Sequence, residues 1–408
     1  MRRVVITGLG GVSALGIGVP ALWEGLAAGR SGVRRVTVCD TDLLTNPIAA
    51  EVPSFDPAAY LTPDQLLLCD RYAAFAMAAA SEAWNEAGLD LSDEERERAG
   101  VLIGTGMGGV TRQDEAYRLL YEKKATRFHP FTIPRVMYNA AASHISMKFR
   151  LEGPTLCIST ACASASHAIG EAAELIRGGR ADVMVAGGAD APIAPGVVKA
   201  WESMRVLAPC GDDPAAACRP FSADRQGLVL GEGAGVVILE ERERAVRRGA
   251  VIHGELAGYG ATADAAHITT PGVDAPARAI RQALAQAGVE PAQVDYVNAH
   301  GTATRLNDTT ETQIIKRVFG DHARKLAISS TKSMHGHMMG ASGAIELLAT
   351  LMAIERGIVP PTANYRQPDP ECDLDYVPNQ AREMKVDVAI SNSFAFGGLN
   401  AVLAIRRA

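Results

Sequence analysis

No two cysteines of this chain stand in CxxC spacing; the seven lie apart at Cys39, Cys69, Cys157, Cys162, Cys210, Cys218 and Cys372. Zinc ribbons and dithiol redox motifs are therefore excluded, and a reduced, cytoplasmic setting is expected. No apolar run reaches the roughly 18 residues that a membrane helix needs. The opening MRRVVITGLGG is broken by glycine too soon to be a signal peptide. An excess of one charge is missing too. The net charge is only −6, so no global field favours nucleic acid or a membrane surface. A clean dinucleotide loop is also missing. The short apolar run Arg3–Thr7 reads as a strand, and Gly8, Gly10 and Gly11 follow it. Ser13 stands where GxGxxG needs its third glycine, and no acidic strand end follows about twenty residues on. The second glycine-rich turn, from Val101 to Gly109, is equally weak, because glycine after a strand more often serves a tight turn.

What is present is bulk for a core. The chain has 408 residues, 48% of them hydrophobic, with 40 glycines. By length that suggests about two to three domain-sized units.

The chain turns on Thr155–Ile176, TLCISTACASASHAIGEAAELI. A β-branched run passes into Ala161 and Cys162, and an Ala/Ser-rich helical pattern follows. A thiol at the start of such a helix meets unpaired N–H groups and the positive end of the dipole. This favours a nucleophilic thiolate. The same residues also fit a buried structural cysteine.

The pattern 70–88 predicts a helix ending at Gly88. The segments 181–189 and 231–240 predict strands. The second half repeats this grammar: a strand to His300, a strand feeding Lys332–His337 and a helix, and a closing strand to residue 405. Two α/β halves with mostly parallel sheets are expected, 1–250 and 251–408. Cys162, His300, Lys332 and His337 all fall just past predicted strands, where α/β units gather function. The glycine loop in NSFAFGGLN (392–400) is able to aim N–H groups at an oxyanion. The His335-Gly336-His337 run lacks a third metal ligand at local spacing, so no metal site is expected. A Cys–His pair alone fits a cysteine hydrolase. Two histidines without an orienting Asn or Asp suit a carbonyl that becomes an enolate.

These motifs, from RRVVITGLGG through STACASA, DRQGLVLGEGAG, NAHGTAT and STKSMHGH to NSFAFGG, resemble the elongating β-ketoacyl-acyl-carrier-protein synthases, close to ketoacyl synthase II. The resemblance spans the chain. It implies an α/β, thiolase-like five-layer αβαβα fold built from two pseudo-repeated halves. It also implies a homodimer, or a heterodimer with a chain-length factor. Cys162 would take an acyl chain as a thioester. His300 and His337 would hold the malonyl thioester carbonyl, and Lys332 would pair with Glu346. The N–H groups of Cys162 and Phe396 would form an oxyanion hole, with Phe396 as a gate. Thr302 and Thr304 would bind the pantetheine arm, Phe394 would contact substrate, and Met107 would lie at the bottom of the acyl pocket. No resident cofactor is implied, since phosphopantetheine arrives on the acyl carrier protein.

The departures matter. The family usually has Thr where His335 stands. Ala395 replaces glycine in the gating loop, and a positive φ there would be costly. Gln65, Leu66, Leu67 and Leu68 stand where the family tends to be basic. Carrier docking is therefore expected at Lys123, Lys124, Arg127 and Arg205. A specialised ketosynthase with the same chemistry is the nearest rival reading, and a non-catalytic chain-length partner a weaker one. A degradative thiolase needs a late second cysteine, and the terminal loop has none.

Overall fold

The computed structural model describes residues 2–408. Its main strands are β1 (Val4–Ser13), β2 (Ala99–Gly104), β3 (Thr155–Ile158), β4 (Val183–Asp190), β5 (Gly233–Glu241), β6 (Gly254–Ala263), β7 (Tyr296–Asn298), β8 (Ala327–Ser329), β9 (Val388–Ala395) and β10 (Leu399–Arg406). The helices that cover them are α1 (Arg71–Ala87), α2 (Val110–Tyr121), α3 (Ala140–Phe149), α4 (Ser164–Arg177), α5 (Asp274–Ala287), α6 (Arg305–Phe319) and α7 (Ser342–Arg356).

The strands form an 11-stranded path in the order β8-β7-β9-β10-β6-β1-β5-β4-β2-β3, with the short Gly16–Ile17 paired to β1. At the outer ends, β8, β7 and β9 run parallel, as do β3, β2 and β4. Inward of these the pairing is antiparallel: β4 to β5 to β1 on one side, β9 to β10 to β6 on the other. The expectation of mostly parallel sheets is thus corrected to mixed ones. The cause is local for β9 and β10: a tight turn at Gly397 and Gly398 joins them, and a short turn connects only antiparallel strands. Among the described residues the two sides pair through Val5↔Glu255 and Ile6↔Gly254.

Alternation along the strands builds the layers. In β5, Val237 and Leu239 face the inner core while Val236 and Ile238 face an outer one. In β10, Leu403 and Ile405 face that same inner core while Val402 and Ala404 face the other outer one. Helices α4 and α7 fill the middle, α1 and α3 one outer face, α5 and α6 the other. This is the thiolase-like αβαβα arrangement. Helix α7 is buried from Ser342 to Ile354 on every side, as a central helix must be.

The glycines of β1 prove to be packing residues. They lie inside the strand, not in a turn after it as the sequence suggested. A Cβ on Gly8 would stand 2.1 Å from the Ala83 carbonyl oxygen of α1, and one on Gly10 would stand 1.9 Å from that of Ala79. The other half repeats the device: Gly258 and Gly260 of β6 approach the Ala283 and Ala279 carbonyls of α5 to 2.0 and 1.9 Å by the same measure. Strand and helix touch backbone to backbone, which only glycine permits. Gly10→Ala and Gly260→Ala are each predicted to cost about 3 kcal/mol or more by overpacking, read from denaturant midpoints. An alanine tolerated at either position would contradict this.

Candidate active site

Strand β3 ends at Ile158, and the chain then turns sharply. Ala161 sits at φ 49, a left-handed conformation that costs a residue with a Cβ about 1–2 kcal/mol. Ser164 holds the turn. Its hydroxyl donates to Ala161 O at 2.6 Å and accepts from Thr160 N at 2.9 Å. Cys162 is thereby presented in a single turn, Ala161–Ala163, just ahead of α4.

The sulfur is not the resting thiolate that the sequence suggested. Burial pushes the Cys162 thiol up to about 12, and the Asp190 carboxylate adds to this. Lys332 and the N–H groups of Phe396 and Cys162 itself pull the other way. Full desolvation outweighs the helix terminus, so the resting sulfur carries its proton. The same two N–H groups face the sulfur, one from the end of β9 and one from the elbow.

Past β7, His300 is held from two directions. Glu311 of α6 accepts from His300 N and Gly301 N, both at 2.8 Å. Lys332 Nζ lies 3.3 Å from His300 Nδ1. An ammonium only donates, so Nδ1 is the acceptor and the ring proton sits on Nε2. His337 reaches the same tautomer differently. Its Nδ1 accepts from Met339 N at 3.1 Å, and the Ser342 hydroxyl lies at the same distance. The two rings stand edge to face, 5.6 Å between centroids. Burial, then the nearby Lys332 charge, hold both well below the ordinary histidine range. Both imidazoles are therefore neutral and present an Nε2–H donor. Lys332 forms a fully buried ion pair with Glu346.

A cavity of about 290 Å³ brings together Cys162, His300, His337, Thr302, Thr304, Phe394 and Phe396. The hydroxyls of Thr302 and Thr304 lie 2.9 Å apart. Trp201, Val206 and Leu228 add an apolar wall, and Phe396 stacks on Trp201 at 5.8 Å between ring centroids. Lys332 and Glu346 do not line the cavity; Lys332 lies against His300 Nδ1, with Glu346 as its ion-pair partner. Met107 does not line the cavity; it packs in the apolar cluster that Trp201 and Phe396 share. Lys123, Lys124 and Arg127 are exposed after α2, away from the cavity lining. Arg205 is exposed between Met204 and Val206, which do line it.

One expectation changes here, and one departure finds its place. Ala395 carries no strain, because it is the last residue of β9; the left-handed positions are Gly397 at φ 84 and Gly398 at φ 68. His335 does not face the cavity. Its Nδ1 donates to Gly336 O at 2.8 Å, and Thr331 Oγ1 lies 3.0 Å from its Nε2.

Sequence reading missed Glu311, Trp201 and Asp264. Asp264 ties the gating turn to the loop after β6: its N–H donates to Gly398 O at 2.8 Å, and its Oδ1 accepts from Asn400 Nδ2 at 2.8 Å. Gly397 N also donates to Ile268 O at 2.7 Å. The one sequence signal was Asn400 itself, a polar residue entering an apolar strand.

The fold and the paired imidazoles define the class: a carbon–carbon bond-forming condensing enzyme of the thiolase-fold group. Comparison with known proteins agrees. The family described as "Beta-ketoacyl synthase, N-terminal domain" matches residues 1–245, and "Beta-ketoacyl synthase, C-terminal domain" matches 253–366. The chain belongs to the β-ketoacyl synthase family. It is 50% identical over 406 residues to nodulation protein E of Rhizobium sp. (strain N33), covering 100% of this chain and 99% of the relative. It is 45% identical over 408 residues to 3-oxoacyl-[acyl-carrier-protein] synthase 2 of Synechocystis sp. (strain ATCC 27184 / PCC 6803 / Kazusa), covering 100% and 98%. Among solved structures, the ishigamide ketosynthase/chain length factor matches with a TM-score of 0.94 at 39% identity, covering 100% of this chain and 99% of that one.

The buried histidines make stability pH-dependent. Burial, with Lys332 second, lowers His335 from 6.5 to about 3. A depressed folded-state pKa means the unfolded chain binds the proton first. Stability is therefore full above pH 6.5 and falls as pH drops from 6.5 toward 3, by up to about 1.4 kcal/mol per pH unit for this group. His335→Thr should remove that slope, and unfolding midpoints across pH 4–7 check it. An acid limb as steep in the variant as in the parent would contradict this assignment.

Proposed function

We propose that the protein extends an acyl chain by decarboxylative Claisen condensation with malonyl-acyl-carrier protein, giving a 3-oxoacyl-acyl-carrier protein. The observation that carries this reading is the pair of neutral imidazoles, each with Nε2–H free, in one cavity with Cys162. Two neutral donors stabilise a developing enolate without drawing off protons from solvent.

The proposed steps use these groups in turn. Cys162 attacks the acyl thioester, and the N–H groups of Cys162 and Phe396 receive the carbonyl oxygen as it becomes an oxyanion. The pantetheine thiol leaves with the cysteine proton. Malonyl thioester then enters with its carbonyl oxygen between His300 and His337. Its carboxylate departs as CO2, and the electron pair of that bond forms the enolate. The enolate carbon attacks the Cys162 thioester, the same N–H pair holds the second oxyanion, and the cysteine sulfur leaves as a thiolate that takes one proton from water to restore the resting thiol. Thr302 and Thr304 hydrogen-bond the pantetheine arm. Phe396 moves from its stack on Trp201 to admit the acyl chain, opening toward the apolar cluster in which Met107 packs. No resident cofactor enters; phosphopantetheine comes with the carrier.

Fatty acid elongation in the cytoplasm is the primary setting. A specialised pathway with the same chemistry is the second reading. It is supported by the gating loop Ala395–Asn400, where Ala395 stands in place of the family's glycine, and by the 50% identity to a nodulation protein. Intact-mass analysis with a panel of acyl-carrier proteins tests both readings. A mass gain is expected that disappears in Cys162→Ala, and the chains accepted separate the two pathways. Charge reversal at Lys124 and Arg127 should raise KM for carrier-bound donors and leave loading from free pantetheine thioesters unchanged. No mass gain with any donor would favour the non-catalytic partner.

The division at residue 250 follows from the mirrored strand patterns, with β6 opening the second half at Gly254. Strand β3 is an open edge, paired only to β2, and Leu156 on it is 55% exposed. Tyr121, Phe131 and Ile133 are exposed as well. An open edge strand that bears an exposed leucine needs cover. A second copy of this chain, or a chain-length factor, would supply it. Sedimentation equilibrium is expected to give twice the chain mass; a monomer at micromolar concentration would point to a separate partner.

A further inference from the structure

His337 is reached through a soft joint. The chain leaves the single turn Lys332–His335 at Gly336, which sits at φ 69. A Cβ there would stand 2.9 Å from the Ala50 Cβ, so the joint is tightly packed as well as left-handed. Glycine has the least restricted backbone of all residues, and the peptide unit that follows it needs fixing from outside. Three bonds supply this. His337 N donates to Val229 O at 2.7 Å, and His337 O accepts from Gly231 N at 2.8 Å. The Gly336 carbonyl, at the entry to His337, accepts from His335 Nδ1 at 2.8 Å. Among the described residues no other donor reaches that carbonyl.

The His335 ring is itself held in the form that makes this bond. A carbonyl only accepts, so Nδ1 carries the proton and Nε2 is the acceptor. The Thr331 hydroxyl lies 3.0 Å from Nε2 and donates to it. Both side chains are fully buried, and burial keeps the ring neutral, with the Lys332 charge adding to this. The ring therefore has one proton, and Thr331 directs it to the Gly336 side. This is the opposite tautomer to that of His300 and His337, whose protons sit on Nε2.

Threonine, the residue usual in the family at this place, cannot make the same bond. Its hydroxyl stands one bond nearer the backbone, and in a helical turn it bonds the carbonyl three or four residues back. A buried carbonyl left bare costs free energy, and the soft glycine lets its peptide turn to seek another donor.

We propose that His335 is a positioning residue for the decarboxylation half of the reaction. Its Nδ1–H fixes the peptide that enters His337, and so the direction in which the His337 Nε2–H points into the cavity. This rests on the condensing-enzyme reading, since that direction matters only if a malonyl carbonyl is bound there. Acyl transfer to Cys162 uses the N–H groups of Cys162 and Phe396 and does not depend on it.

The test separates the two halves. Loading of Cys162 from acyl-carrier protein is followed by intact mass, and decarboxylation by CO2 release from malonyl-carrier protein on the loaded enzyme. Assays above pH 6.5 keep the acid-linked stability of His335 out of the comparison. In His335→Thr the kcat for CO2 release is expected to fall about ten-fold or more, since a misplacement of about 1 Å costs up to ~100-fold. Loading should keep the parent rate. His335→Asn should restore most of the lost rate, because its Nδ2–H stands as many bonds from Cα as the Nδ1–H does. A ring that only filled space would not be rescued by the smaller amide. His335→Phe keeps a ring without the donor and serves should the threonine variant fail to fold; it should lose CO2 release in the same way. An unchanged kcat in the variants without the donor, an equal loss in both halves, or an asparagine variant no better than threonine overturns the proposal. A parent protein that neither loads nor releases CO2 sinks the condensing-enzyme reading instead.

Discussion

The buried ammonium of Lys332 is the charge on which the site depends. It lies in the core, ion-paired to Glu346, with its remaining reach directed at His300 Nδ1. Burying an ion costs several kcal/mol unless it is paired and hydrogen-bonded, and here both conditions are met. Two consequences follow. The ammonium dictates the His300 tautomer, because it has only protons to offer. It also makes a second positive charge nearby expensive, adding to the burial that is the first cause of keeping His300, His335 and His337 neutral. A neutral imidazole with a fixed N–H gives a carbonyl oxygen a donor that is oriented before the reaction starts, the condition under which electrostatic stabilisation is strongest.

The fold brings these parts together by duplication of one plan. Each half offers parallel outer strands whose ends point the same way, with helices α4 and α7 side by side between the sheets. The first half uses its strand end to bend the chain at Ala161 and expose a sulfur. The second uses the corresponding ends of β7 and β8 to place His300 and Lys332. The Phe396 N–H comes from the end of β9, so a donor from one half faces a sulfur from the other. Neither half alone holds both a nucleophile and a carbonyl-binding pair.

Much of this was legible in the chain. The strand–turn–helix around Cys162 has a strong signature because β-branched residues give way abruptly to alanine and serine. His300, Lys332 and His337 stand out as polar residues closing apolar runs. The pairing of Lys332 with Glu346 was available only through family resemblance, since nothing in spacing joins a turn to a buried helix position. Glu311 and Asp190 were silent because an acid on an amphipathic helix or at a strand end reads as surface until burial is known. The glycines of β1 misled: glycine beside a strand is indistinguishable in sequence from glycine within one, and only the close approach of α1 settles which it is. The thiolate expectation failed for a related reason. Sequence shows where a helix begins, but not how completely its first turn is shut away from water.

The mirrored contacts of β1 on α1 and β6 on α5 carry a mechanical consequence. At these glycines backbone rests on backbone with no side chain between strand and helix to deform, so the strand-and-helix plates are clamped there. Compliance must then be concentrated where the plates are not clamped. The hinge that offers it is the pair Gly397 and Gly398, free of Cβ atoms and anchored by only a few hydrogen bonds to a neighbouring loop. A rigid frame with one soft corner opens in a single direction, and that corner carries Phe396.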